Sequence, residues 1–230
     1  MEKIFTIPIN EAFSEQDGCP LCRMREKLED TTLGYVLGAA MMEPDVRIKM
    51  NETGFCADHA EKLRARKNKL SLALILQSHL DEVDKLYETP AAEKKGLFSS
   101  RQPSPDGAEA AREMADSCFV CKKVRSTERH YFSNIAYLWE KDPAFHEKMK
   151  SQPFLCLSHT AGVLEAGKRE LKNADYLSLY ETVTALNRRC LEGLKRDIDA
   201  FTVSFDHRNA GTPMTEEART AIERAQAFLR

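Results

Sequence analysis

The sequence reads CPLC at residues 19–22 and CADH at residues 56–59. The same order of residue types returns later in the chain, as CFVC at 118–121 and CLSH at 156–159. The CxxC and CxxH segments are separated by 33 residues in the first instance and by 34 in the second. Because six of the seven cysteines belong to this pattern, it indicates two metal sites rather than unrelated thiols.

The repetition extends beyond these segments. Cys19 and Cys118 are offset by 99 positions, and so are Pro44 and Pro143, which lie outside the cysteine and histidine pattern. After a one-residue insertion, His59 and His159 are offset by 100. A shared offset at independent positions is typical of an internal duplication.

Each repeat supplies three cysteines and one histidine, which is a common ligand set for structural zinc. The candidate ligands are Cys19, Cys22, Cys56, His59, Cys118, Cys121, Cys156 and His159. A complete set of four leaves no coordination position for an activated water, so we predict two structural Cys₃His zinc ions. Each ion would hold two helix starts together, and its binding free energy would become folding free energy.

Several alternatives stay open. A CxxC pair can share an ion with the CxxH of its own repeat or with that of the other repeat. Pairing within a repeat is favoured because it closes a shorter loop. The same residues could ligate an iron–sulfur cluster, although all-cysteine ligation is commoner there. Zinc thiolates can also act as redox switches that release the metal when disulfides form.

Apolar residues recur every three or four positions, which predicts an all-α protein of duplicated helical hairpins packed in a bundle. Each repeat reads as a helix that ends before a proline, a loop, and a longer helix. The longer helix is predicted from about Ala57 to Glu88 in the first repeat, and as a stripe of about forty residues from Val163 to Phe201 in the second. The predicted organisation is repeat 1–88, linker 89–112, repeat 113–201, and a C-terminal loop and helix at 202–230, the helix opening at Thr212-Pro213.

The composition excludes two classes of partner. Lys and Arg total 34 against 36 Asp and Glu, so the chain lacks the basic excess of a nucleic-acid-binding surface. The basic cluster at residues 62–69 is interpreted as a solvated helix face. No apolar run is long enough to cross a membrane, and the N-terminus has no signal-peptide pattern, so we expect a cytoplasmic protein.

A binding role should reside where the repeats differ. Only the first repeat presents Glu43, Asp45, Arg47 and Asn51, because the counterpart segment at residues 140–150 has a different set of side chains, and the unrepeated C-terminal loop contains His207. These residues are candidates for a surface that binds an unknown protein or small molecule. An enzymatic pocket is a further hypothesis, near Glu43, Asp45, Arg47 and His207. The absence of a nucleophile–base pair or paired carboxylates argues against an enzyme.

Several longer stretches carry a resemblance. CPLC, MMEPDVRIKMN at 41–51, GFCADH at 54–59, LALILQSHL at 72–80 and FDHRN at 205–209 resemble a family of uncharacterised bacterial proteins, a domain of unknown function. The resemblance covers essentially the whole chain and implies no activity. One departure is Phe154, which stands where the first repeat has Gly54 and a glycine turn is expected.

Overall fold

The computed structural model describes residues 5–87, 107–206 and 213–230. Within these ranges the chain forms helices and no strand, which confirms the predicted all-α class. The helices are α1 (Thr6–Ala12), α2 (Pro20–Val36), α3 (Pro44–Thr53), α4 (Ala57–Ala65), α5 (Lys69–Asp84), α6 (Gly107–Ala115), α7 (Phe119–Lys141), α8 (Pro143–Lys150), α9 (Leu157–Glu170), α10 (Asn173–Val203), α11 (Glu216–Arg219) and α12 (Ala221–Leu229), with short 3₁₀ turns at Ala39–Met42 and Lys85–Tyr87.

No helix among the described residues combines the length and the apolar character that a membrane span requires.

The chain divides into two compact units. Unit 1 contains Met1–Lys27 and Thr127–Arg230, and unit 2 contains Leu28–Ser126. Helix α2 therefore begins in unit 1 and ends in unit 2, while α7 begins in unit 2 and ends in unit 1. Each unit contains parts of both sequence repeats, so the compact units differ from the repeats at 1–88 and 113–201.

Unit 2 packs around a core of aliphatic side chains from α2, α3, α4, α5 and α7. Met50, Leu63 and Ile75 are completely buried there, and Cys118 belongs to the same cluster. The backbone N–H of Phe119 donates to the Gly54 carbonyl at 3.0 Å, and the Ser117 hydroxyl donates to the Thr53 carbonyl at 2.5 Å. These bonds hold the start of α7 against the end of α3.

Unit 1 has a separate core, in which α10 packs against α8, α9, α11 and α12. Phe13 follows α1 and lies against Phe145 of α8, with ring centroids 5.0 Å apart. The buried Gln152 side chain, just after α8, donates to the Phe13 carbonyl at 2.8 Å. This bond anchors the turn that leads into α9.

The prediction of one long second helix in each repeat is wrong, because a break divides that helix into two. In the first repeat, Arg66 to Asn68 separate α4 from α5, and the Asn68 side chain accepts the Ser71 N–H at 3.2 Å, which caps α5. In the second, Leu171 and Lys172 separate α9 from α10. A side chain at Gly167 would lie 2.8 Å from Leu179, so glycine permits α9 and α10 to approach closely at this break.

The prolines have a second role that the repeat pattern did not predict. Helix α7 ends at Lys141, as predicted, but Pro143 then begins α8, and Pro44 begins α3, where a loop was expected. Proline suits the first helical turn because its missing N–H would have no partner there. In the first repeat, α2 already ends at Val36 and the 3₁₀ turn precedes Pro44.

Two further boundaries differ from expectation. Residues 107–112, placed at the end of the predicted linker, belong to α6, and residues 88–106 lie outside the described part of the chain. The predicted C-terminal helix begins later than Pro213 and is divided into α11 and α12, with the Thr215 hydroxyl capping α11 by accepting the Ala218 N–H at 3.2 Å. The residues that precede Pro213, 207–212, are also outside the described ranges.

Candidate metal centres

The eight predicted ligands form two clusters of four. Site 1, in unit 1, contains Cys19, Cys22, Cys156 and His159. The Nδ1 atom of His159 lies 3.5 Å from the Cys19 sulfur, 3.4 Å from the Cys22 sulfur and 3.0 Å from the Cys156 sulfur. The sulfurs of Cys22 and Cys156 are 3.6 Å apart.

Site 2, in unit 2, contains Cys56, His59, Cys118 and Cys121. The Nδ1 atom of His59 lies 3.1 Å from the Cys56 sulfur and 3.4 Å from those of Cys118 and Cys121. The sulfurs of Cys56 and Cys121 are 3.9 Å apart. The two sites therefore repeat the same arrangement of one Nδ1 atom facing three sulfurs.

These separations fit a single tetrahedral ion at each site. With metal–sulfur bonds of about 2.3 Å and a metal–nitrogen bond of about 2.0 Å, tetrahedral donors lie about 3.8 Å apart for two sulfurs and about 3.5 Å for sulfur and nitrogen. The observed distances lie near these values, and in both sites all four donor atoms lie within 4.8 Å of one another. The sulfurs are much too far apart for disulfides, in which the S–S bond is about 2.05 Å, and all seven cysteines are free.

The local backbone presents the CxxH ligands identically in both sites. Cys56 is the N-cap of α4 with φ −66° and ψ 164°, and Cys156 is the N-cap of α9 with φ −64° and ψ 165°. An extended N-cap followed by one helical turn brings residues i and i+3 to the same face. The cysteine and the histidine of each CxxH segment therefore face one ion.

The pairing of the segments corrects the expectation from loop length. The CxxC of the first repeat meets the CxxH of the second in site 1, and the CxxC of the second meets the CxxH of the first in site 2. Pairing within each repeat is therefore wrong. The entropic preference for the shorter loop was too weak to decide, because each doubling of loop length costs only about 0.6 kcal/mol.

A glutamate holds each histidine from the side opposite the sulfurs, and Glu128 is buried while Glu29 is partly exposed. In site 1, Nε2 of His159 lies 3.2 Å from Glu128, and in site 2, Nε2 of His59 lies 2.7 Å from Glu29. Since Nδ1 faces the sulfurs, Nε2 carries the proton and donates it to the carboxylate. Such carboxylate–histidine pairs fix the ring orientation and raise the basicity of metal ligands.

Glu29 and Glu128 were not predicted from the sequence, although a signal was present. The two glutamates are offset by 99 positions, as the CxxC cysteines are, and each follows its CxxC segment by seven residues. Seven residues are two helical turns, so the glutamate lies on the cysteine-bearing face of its helix. Helix α2 thus begins at the cysteines of site 1 and carries the glutamate of site 2. Helix α7 begins at the cysteines of site 2 and carries the glutamate of site 1.

A basic side chain lies beside the glutamate of each site, and in site 1 it is Arg25, 3.7 Å from Glu128. In site 2, Lys62 donates to Glu29 at 2.8 Å and pairs with Asp58 at 2.9 Å. An ion-paired network beside this site therefore joins Lys62 to Glu29, Asp58 and His59. Burial raises the pKa of the Glu29 carboxyl, but the hydrogen bonds from Lys62 and His59 outweigh it and lower the pKa below its ordinary value. Glu29 is therefore ionised at neutral pH and can accept a hydrogen bond from Nε2 of His59.

The ligand thiols have perturbed acidity in the absence of a metal. Burial, reinforced by the neighbouring Cys118 and Cys56 sulfurs, raises the pKa of Cys121 to about 12. Hydrogen bonds from Cys19 and Cys22 lower the pKa of Cys156, and the hydrogen bond with Cys156 raises that of Cys22. Three thiolates this close repel one another, so a bound cation favours their joint ionisation.

The residues proposed as a binding surface in the first repeat have separate partners. Glu43 accepts the Tyr35 hydroxyl at 2.7 Å, and Arg47 donates to the Leu74 carbonyl and the Ser78 hydroxyl at 3.3 and 3.1 Å. The Asn51 carbonyl lies 2.6 Å from Nδ1 of His79, while Asp45 lies in the exposed first turn of α3.

Arg47 and Asn51 thus fasten α3 to α5. His207 is outside the described residues, so its relation to this segment stays a prediction.

Comparison with known proteins assigns the family. A family of unknown function, DUF6062, matches residues 1–230. The chain belongs to this family. An uncharacterized 23.9 kDa protein in the xynA 3′ region of Caldicellulosiruptor sp. (strain Rt8B.4) is 20% identical over 193 residues, which cover 84% of this chain and 88% of that protein. No solved structure matches this DUF6062 protein significantly.

Proposed function

We propose that this DUF6062 protein binds two zinc ions at sites 1 and 2, that both ions are structural, and that the protein is a cytoplasmic binding or regulatory module rather than an enzyme. The observation that supports zinc most directly is the tetrahedral spacing of one imidazole nitrogen and three sulfurs, found twice. Soft thiolates with imidazole favour zinc over magnesium, calcium or manganese.

A single ion fits these donors better than an iron–sulfur cluster does. In a cluster, each protein ligand binds a different iron or one end of a two-iron unit, so the ligand sulfurs are spread around several metal atoms. Here one Nδ1 atom lies within 3.5 Å of all three sulfurs in both sites. This convergence on one point supports a mononuclear metal.

A structural role follows from the complete ligand set. Three cysteines and one histidine satisfy tetrahedral zinc, so no position is left for a substrate or an activated water. The ion would join the start of a CxxC-led helix to the start of a CxxH-led helix, α2 with α9 in site 1 and α7 with α4 in site 2. Such closed sites contribute directly to folding stability.

The test is metal quantification on protein purified without oxygen. We expect about two zinc ions per chain and little iron. The matched variants are Cys156→Ser, which should retain about one zinc ion, and Cys190→Ser, which should retain two because Cys190 lies outside both sites. A brown, iron-rich preparation would contradict the proposal.

A second candidate function is a redox-responsive regulator in which oxidation releases zinc. The partial exposure of Cys56 and Cys121 in site 2 favours it, because accessible thiolates are oxidised most readily. Mild peroxide should then release one zinc ion per chain and lower the helix content, measured with a chromogenic chelator and far-ultraviolet circular dichroism. Retention of both ions under treatment that oxidises free glutathione would rule this function out.

A further inference from the structure

Helix α5 in unit 2 has an exposed face rich in leucine. Leu70, Leu74 and Leu80 are 72%, 37% and 63% exposed, while Ile75 on the opposite side is completely buried. Ala73 and Gln77 are exposed and complete the face, which follows the helical spacing i, i+3, i+4, i+7 and i+10. We call this set of five residues the α5 face. A contiguous apolar stripe on a helix marks an interaction site more often than single exposed leucines do.

The equivalent helix of the second repeat lacks these leucines. Helices α5 and α10 begin at Lys69 and Asn173, and their fully buried residues Ile75 and Leu179 share the same offset of 104. At this offset, the three exposed leucines correspond to Ala174, Ser178 and Thr184. The repeat therefore forms this helix without leucine at these positions, so folding of the repeat does not explain the α5 face.

The charges along α5 indicate which partner fits the face. The N-terminal end has the exposed residues Lys67 and Lys69, the last part of the basic cluster at 62–69, and the C-terminal end has the exposed residues Asp81 and Asp84. A second α5 that runs antiparallel brings its acidic end to the basic end of the first. With a twofold axis at Gln77, Lys69 of each copy lies one residue from the position opposite Asp84 of the other, so opposite charges meet at both ends of one symmetric contact. Lys85, which is directly opposite Lys69, is already paired with its own Glu82 at 2.7 Å.

The central residues agree with the same arrangement. A twofold axis near Gln77 would bring Leu74 of each copy opposite Leu80 of the other, since both lie three residues from the centre. The Gln77 side chain has both a donor and an acceptor, so it can hydrogen-bond to its own copy across the axis. We propose that the α5 face is the interface of a homodimer, formed by antiparallel pairing of α5 about Gln77.

The first test removes the apolar contact. Sedimentation equilibrium on the zinc-loaded full-length chain should give a dimer, and the double variant Leu74→Asp, Leu80→Asp should raise the dissociation constant at least about 100-fold, because each leucine is buried twice in a symmetric interface. The control is Leu177→Asp in α10, which is 48% exposed in the monomer and should leave the dimer unchanged. Zinc content and circular dichroism establish that both proteins are folded.

The second test examines the orientation. Lys67→Glu with Lys69→Glu should weaken the dimer, Asp81→Lys with Asp84→Lys should weaken it similarly, and the fourfold variant should recover most of the lost affinity. A protein that is monomeric at every concentration measured, or a dimer that persists in the double aspartate variant, would overturn the proposed interface. Failure of the fourfold variant to recover would overturn the antiparallel arrangement.

Discussion

Sites 1 and 2 have the same ligands, the same N-cap geometry and the same carboxylate–histidine pair, but they differ in exposure. Three of the four ligands of site 1 are buried, and Glu128 beside them is buried as well. Site 2 has two partly exposed cysteines, Cys56 and Cys121, and its Glu29 is 21% exposed and bonded to Lys62. The duplicated set of residues thus lies in one more buried and one more accessible environment.

The turn that leads into each CxxH segment differs correspondingly. In site 2, Gly54 follows α3 directly with φ +56° and ψ −152°, a conformation that only glycine adopts easily, and a side chain there would lie 2.5 Å from His79. Site 1 has Phe154 at this position, and its turn is longer because α8 ends at Lys150. The departure at Phe154 therefore changes the route into the site but not the ligand geometry.

The largest expected effect follows from the proposed function and comes from removing both zinc ions. Structural zinc supplies about 10–16 kcal/mol of apparent binding free energy per site, so excess chelator should unfold most of the chain. Because site 2 is the more accessible, one zinc ion per chain should leave rapidly and the second slowly. The measurement is zinc release followed together with helix content, and release of both ions in a single phase would contradict the contrast between the sites.

A smaller effect is expected from breaking one site at a time. Cys156→Ser should lose one zinc ion and expose Cys19 and Cys22 to alkylation, while Cys118 and Cys121 stay protected, as mapped by mass spectrometry. Cys56→Ser should give the opposite pattern. We expect Cys156→Ser to lower the melting temperature more, since its site is the more buried.

The same two variants test the exchange of segments between repeats. Alkylation of Cys118 and Cys121 in Cys156→Ser would indicate pairing within a repeat and would refute the arrangement described for sites 1 and 2. Cys190→Ser serves as the control and should retain both zinc ions, because Cys190 belongs to neither site.

The smallest effect is expected from the glutamates that orient the histidines. Glu128→Gln should weaken zinc binding at site 1 about 10- to 100-fold, and Glu29→Gln should weaken it less at site 2, where the carboxylate is more exposed. Competition with a fluorescent zinc chelator measures both. The control Lys62→Ala should change the zinc affinity of site 2 by less than about threefold, because exposed ion pairs contribute little free energy. Equal losses of zinc affinity in the two glutamate variants would show that burial of the carboxylate does not determine its contribution.

The members of the two Cys/His clusters could be predicted from the sequence because metal chemistry demands a fixed spacing, and both CxxC and CxxH segments keep it. Which CxxC segment pairs with which CxxH segment could not be predicted. The loop from Cys22 to Cys56 has 33 residues and the loop from Cys22 to Cys156 has 133. Closing the longer loop costs only about 1 kcal/mol more in entropy, which is less than one good packing contact contributes. The breaks at Asn68 and Leu171 were missed because the apolar spacing continues across them. Glu29 and Glu128 were missed because their role depends on the exchanged pairing, which brings each against the histidine of its own repeat.

The exchanged pairing places one site inside the other along the chain. Site 2 uses residues between Cys56 and Cys121, whereas site 1 joins residues from Cys19 to His159 and therefore encloses it. During synthesis on the ribosome, all four residues of site 2 are made before Cys156. Cys19 and Cys22 are made first, but their partners Cys156 and His159 are made last. Site 2 is therefore expected to bind its metal before site 1.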